Sequence, residues 1–323
     1  MTNGSASSLS GSGASYTVTI TPAADGAVTV GLPANVAQDT AGNQNTAATD
    51  LTRTADITPP SVTLASAAGN PVSGAFPVTI TFSESVTGFA AGDLSLTNAT
   101  ASEFAGSGTS YTVTITPAAD GAVTVGVPAN VAQDAAGNQN SAATNLTRTA
   151  DITPPSVTLA SASGDPVSGA FPVTITFSES VTGFAAGDLS LTNATASEFA
   201  GSGASYSVTI TPAADGAVSV GVPANVAQDA AGNQNTASNT LSRQADTVRP
   251  DVTLASASGD PTNGAFSVTA TFTKPVTGLV VGDFSVTNGA ASGLTGSGSS
   301  YSVTITPTGD GTVRNTKRLN SAH

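Results

Sequence analysis

The feature that most limits how this chain can fold is a repeat with a step of 95 residues: Tyr16, Tyr111, Tyr206 and Tyr301 recur at it, as do Asp56, Asp151 and Asp246. A fixed period of this length marks a tandem array. Residues 56–150 and 151–245 are full copies that differ only by small or polar exchanges, such as Ala68/Ser163, Asn70/Asp165, Thr124/Ser219 and Thr149/Gln244. One fold and one role are therefore expected for both. A unit of this size lies in the usual range for a single domain and can bury roughly two-thirds of its unfolded surface, so the chain is expected to be a row of small domains with separate cores.

Within a unit the hydrophobic pattern has a period of two. From Pro77 to Ser83, Val78, Ile80 and Phe82 alternate with Thr79, Thr81 and Ser83, as a half-buried strand requires. Tyr111, Val113 and Ile115 alternate with threonines, and Val123, Val125 and Val127 repeat the pattern. Shorter strands are expected at Ser61–Ser66, at Asp93–Thr97 with Leu94 and Leu96 inward, and from about Thr144 to Ala150, with a weaker segment around Glu103 and Phe104. Turn formers separate them: Gly69-Asn70-Pro71, Gly106-Ser107-Gly108, Asp120-Gly121 and Asp134-Ala135-Ala136-Gly137-Asn138. About seven short strands in such a span predict an all-β, two-sheet sandwich of immunoglobulin type.

The joints hold hardly any linker. Ala150-Asp151-Ile152-Thr153-Pro154-Pro155 runs from one unit into the next, and paired prolines favour an extended, semi-rigid connection. The units are expected to lie end to end as an elongated rod, each adding roughly 35–45 Å. The third joint departs, reading Asp246-Thr247-Val248-Arg249-Pro250 with a single proline. The end repeats are expected to be incomplete: residues 1–55 hold late strands and residues 246–313 early ones. Residues 314–323, with Arg314, Lys317, Arg318 and the sole histidine, His323, fall outside the repeat pattern. The reading frame is thus expected to be a piece of a longer array, or one broken by a frameshift or an assembly error, its tail not a functional site, and its two ends could complete a sandwich head to tail between chains.

Charge narrows the partners. Eight Lys plus Arg against 21 Asp plus Glu give a net charge of −13, which argues against nucleic acid or an anionic membrane and leaves cations as candidates. Cysteine is absent, so neither an inter-sheet disulfide nor thiol chemistry is available. No run approaches the roughly 18 apolar residues of a membrane helix, and no signal-peptide pattern opens the chain.

The segments Asp151-Ile152-Thr153-Pro154-Pro155, Phe177-Ser178-Glu179-Ser180-Val181-Thr182-Gly183-Phe184, Gly187-Asp188-Leu189, Thr211-Pro212-Ala213-Ala214-Asp215-Gly216 and Asp229-Ala230-Ala231-Gly232-Asn233 together resemble the bacterial immunoglobulin-like repeats found in tandem in large surface and secreted adhesins. The resemblance implies sandwich extender modules outside a bacterial cell, with calcium stiffening the joints in many relatives.

Calcium wants several oxygen ligands gathered by loops. The candidate ligands are Asp56, Glu84, Asp93, Asp134 and Asn138 in one unit, Asp151, Glu179, Asp188, Asp229 and Asn233 in the next, and Asp246 at the third joint. Asp134 to Asn138 can equally be a plain turn in which Asp134 caps amides and Gly137 takes a positive φ. Asp120-Gly121 reads as a turn. No Asp-x-Asp-x-Asp-Gly loop is present. A sole histidine in the tail gives no basis for a Ser-His-Asp set or a zinc site, Gly106-Ser107-Gly108 lacks the lysine of a phosphate loop, and a glycosidase pairing of Glu84 with Asp93 lacks an aromatic-lined cleft. The expected role is therefore non-catalytic: an extender of a cell-surface or secreted adhesin or biofilm matrix. The alternative is a module that binds carbohydrate or a host protein through its loops.

Overall fold

In the computed structural model, which describes residues 1–315, the alternating segments become strands and each full unit becomes a sandwich. In residues 56–150 one sheet pairs Val62–Ala65 with Phe76–Val86 and the latter with Ala99–Pro117. The other pairs Leu146–Ala150 with Gly121–Gly126, and Gly121–Gly126 with Ser95–Thr97. All pairs are antiparallel. Residues 151–245 repeat the arrangement strand for strand.

The burial string of Phe76–Val86 alternates as a two-residue period demands, with Val78 and Ile80 fully enclosed. Val113, Ile115, Val123 and Val125 come from facing sheets into the same core. Phe82, Phe89, Phe104 and Tyr111 close one side of it, with Tyr111 edge-on to Phe89 at 5.1 Å and stacked on Phe104 at 5.6 Å. Phe104 gives a weak strand signal because its neighbour Glu103 takes a φ of 53° and interrupts the alternation.

The segment Ala99–Pro117 doubles back on itself. Gly106 (φ 121°) and Gly108 (φ 66°) make the reversal, and a Cβ on Gly106 would meet the Ser110 carbonyl at 2.3 Å, so this glycine cannot be replaced without shifting backbone. Thr114 Oγ1 donates to Glu103 across the fold at 2.7 Å. Strand pairing absent from the hydrophobic pattern is supplied by Val72, which bridges in parallel to Ala150 through Val72 N to Thr149 O (2.9 Å) and Asp151 N to Val72 O (3.0 Å).

The end pieces are thinner. Tyr16 is 61% exposed whereas Tyr111, its counterpart, is 5% exposed, because among the described residues no strand equivalent to Phe76–Val86 covers it. The third unit retains Val252–Ala255, Phe266–Val276 and Gly289–Pro307; its enclosed cluster is Val268, Val303 and Ile305. Leu279 and Leu294 stand there in place of Phe184 and Phe199, leaving Phe272 and Tyr301 as an aromatic pair. Arg314 does not begin a tail wholly outside the fold as its sequence suggests. Arg314–Asn315 pair with Val286–Thr287, because backbone pairing at an open edge does not depend on side-chain identity. The rest of the expected tail, including Lys317, Arg318 and His323, lies outside the described residues. The hairpins Gly4–Pro22 and Gly289–Pro307 are counterparts, so the two ends duplicate this element, and head-to-tail completion would have to displace one copy.

The surface area, 18466 Å² for a chain of 31.1 kDa, exceeds the roughly 12,000 Å² of a compact protein of that mass by about half. An elongated array of small sandwiches exposes this much.

Candidate metal centre at the joints

Each joint is first closed by the Asp-Gly turn of the preceding unit. Asp25 accepts the Ile57 amide and the Thr58 hydroxyl, each at 2.6 Å. Asp120 does the same to Ile152 (2.6 Å) and Thr153 (2.5 Å). The Thr58 hydroxyl and then the Ile57 amide hold the Asp25 carboxyl below its ordinary value, and Thr153 and Ile152 do so for Asp120. The sequence showed a turn here; the reach of its carboxylate across the joint was missed, although Asp120 and Ile152 keep the spacing of Asp25 and Ile57.

On the far side of the joint the Asp134 loop folds as a capped turn. Asp134 Oδ1 accepts the amides of Ala136, Gly137 and Asn138 at 2.8, 2.7 and 2.9 Å, and Oδ2 accepts the Asn138 side-chain amide at 2.8 Å. Gly137 takes φ 96°. Burial pushes this carboxyl up, but the Asn138 side chain and the three amides outweigh it and the net shift is downward. Asn138 also donates to the Asp56 carbonyl at 2.9 Å, fastening the loop to the linker. The second copy repeats this through Asp229, Asn233 and the Asp151 carbonyl.

Between turn and loop the carboxylates converge. Oxygens of Asp56, Glu84 and Asp134 lie within 4.8 Å of one another, and so do those of Asp151, Glu179 and Asp229. Asp134 and Asp229 are buried and the others half-buried. Among the described residues no hydrogen-bond donor is directed at Glu84 or Glu179. Partial burial, followed by repulsion from Asp56, Asp134 and Asp25, raises Glu84 above its ordinary 4.5. Glu179 is raised by burial and by Asp151, Asp229 and Asp120, and Asp151 by burial, Asp229 and Asp120.

The donor set fits calcium. Ca–O distances are about 2.3–2.6 Å, so one ion can reach oxygens spaced like these, and hard carboxylates are its preferred ligands. Carbonyls or water would complete the shell. Asp93 and Asp188 stand apart: each accepts the amide three residues earlier, Ala90 or Ala185, at 2.8 Å and closes a short 3-10 turn.

The third joint has different chemistry. Lys274 occupies the position of Glu84 and Glu179. Its Nζ hydrogen-bonds Asp246 Oδ1 and donates to the Val248 carbonyl at 2.8 Å, and Asp215 Oδ2 lies 3.9 Å away. The exchange was legible at the 95-residue step, but a single lysine carries no motif.

The bacterial Ig-like domain family matches residues 56–150, 151–245 and 246–323. Among solved structures, the chain is similar to the crystal structure of invasin, a bacterial integrin-binding protein, at 15% identity and a TM-score of 0.31, covering 77% of this chain and 55% of that one. It thus spans about half of that chain's length. It is also similar to the tetra-tandem repeat in the extending region of a large adhesion protein, at 19% identity and a TM-score of 0.26, covering 95% of this chain and 81% of that one. No curated protein matches the chain.

Proposed function

The chain belongs to the bacterial Ig-like domain family, and from that premise we propose that it is a non-catalytic extender, a stalk segment of a cell-surface or secreted adhesin. The observation that carries this reading is the use made of one acidic position at each of the three joints. Asp25, Asp120 and Asp215 each accept a backbone amide of the linker that leads into the following unit, which fixes the next module. Near-identity of the full units points the same way, because a spacer needs length more than individuality. Among the described residues no helix is long and apolar enough to cross a membrane.

The first two joints, on this reading, are closed by calcium held by Asp56, Glu84 and Asp134, and by Asp151, Glu179 and Asp229. The ion would supply the positive charge that the surrounding carboxylates lack, and Asn138 and Asn233 hold the ligand-bearing loops against the linkers. This supports stiffness where a hinge would otherwise form.

A binding module would instead select a molecule with its loops. Glycan-array and host-matrix-protein binding by the full chain separates the two roles: inertness is expected, and saturable capture of a defined glycan or protein, abolished by loop substitutions, would replace the extender reading.

A further inference from the structure

The third joint differs from the second at coordinated positions. In the second, Asp120 uses both oxygens on the linker, Oδ1 for the Ile152 amide and Oδ2 for the Thr153 hydroxyl. In the third, the linker threonine sits one residue earlier, at Thr247, and Asp215 Oδ1 accepts both its amide and its hydroxyl at 2.7 Å. Oδ2 receives no linker hydroxyl there and faces Lys274 at 3.9 Å. Moving one hydroxyl thus opens an acceptor at the same joint where a glutamate has become a lysine.

We propose that the third joint is locked by the protein's own ammonium group and is therefore indifferent to divalent cations. Lys274 projects from the strand Phe266–Val276 of the third unit. Its partners are the preceding unit's turn through Asp215 and the linker through Asp246 and the Val248 carbonyl. One side chain therefore ties together both units and the segment between them. The charge balance follows the same logic. Asp120, Asp151 and Glu179 gather three negative charges at the second joint, whereas their counterparts Asp215, Asp246 and Lys274 sum to one. An incoming divalent ion would have to displace an ammonium already bonded to two acceptors, and would find no glutamate there. The contrast with the first two joints rests on the calcium reading; the lock itself does not.

Hydrogen exchange of the full chain in calcium and in chelator tests this, followed at the amides of Ile152 and Thr153 and of Thr247 and Val248. Calcium is expected to slow exchange at the former pair several-fold and to leave the latter unchanged. In Lys274→Gln, Thr247 and Val248 should exchange several-fold faster in both conditions, while core amides of Val303 and Ile305 stay protected, showing that the unit remains folded. Unchanged exchange in Lys274→Gln, or calcium protection of Thr247 and Val248 in the unaltered chain, would overturn the lock. No calcium response at Ile152 and Thr153, with Lys274→Gln still loosening Thr247 and Val248, would remove the calcium reading and leave the lock standing.

Discussion

The second and third joints place an aspartate at the same linker position, Asp151 or Asp246, and a charged side chain at the same strand position, Glu179 or Lys274. In the second, burial and neighbouring carboxylates raise Glu179 and Asp151, so the folded joint holds charge at a cost. In the third, Lys274 bonds the aspartate directly. The comparison teaches that a sandwich array can keep its backbone plan while changing the means by which its joints are held, through one exchange of charge and a one-residue shift of a hydroxyl.

The largest expected effect is the response to calcium. At a free concentration one hundred times the dissociation constant, a single bound ion stabilises its unit by about 2.7 kcal/mol, which for a domain of this size corresponds to roughly 10–20 °C in melting temperature. Calorimetry of the full chain should show the transitions of units 56–150 and 151–245 falling on chelation while that of the third unit stays in place. Equal shifts in all three would erase the contrast. Next comes Glu179→Lys, which gives the second joint the charge of the third. It should abolish the calcium shift of unit 151–245 and leave that of unit 56–150 intact.

A pH titration in chelator gives a smaller effect with a defined sign. Glu179 is raised in the folded chain, so its contribution to stability is complete below its ordinary value of 4.5 and is lost as pH climbs through the raised folded value. Asp120 is lowered, so its contribution is present above 3.8 and is lost as pH falls through the lowered value. The melting temperature of unit 151–245 should therefore decline on both sides of a mildly acidic maximum, and calcium should flatten the upper limb. Smallest of all, Glu179→Gln in chelator should stabilise the unit by about 0.5 kcal/mol or less, the scale of a solvent-screened charge interaction, and should shrink the upper limb to the part that the raised Asp151 contributes. Measuring both variants by the same melt distinguishes charge relief from ion binding.

Much of the fold was legible because alternation at Val78, Ile80 and Phe82 or at Val123 and Val125 reports burial directly. The Asp134 turn was legible too, since Asp, Gly and Asn at that spacing satisfy their own amides. The Val72 bridge was not, because one bridging residue has no periodicity. The reach of Asp120 across the joint was hidden by its turn, which explains the same residues locally. The site was partly visible: acidic residues could be named, but their convergence depends on a strand, a linker and a loop meeting in space. Asp93 offers the same chemistry and is turned inward to the Ala90 amide.

The account rests on modules laid end to end and held there by their joints, and small-angle scattering of the full chain tests this most directly. A rod-like profile is predicted in calcium, each unit contributing roughly 35–45 Å of length, with flexibility appearing in chelator at the first two joints. A compact globular profile in calcium would contradict it.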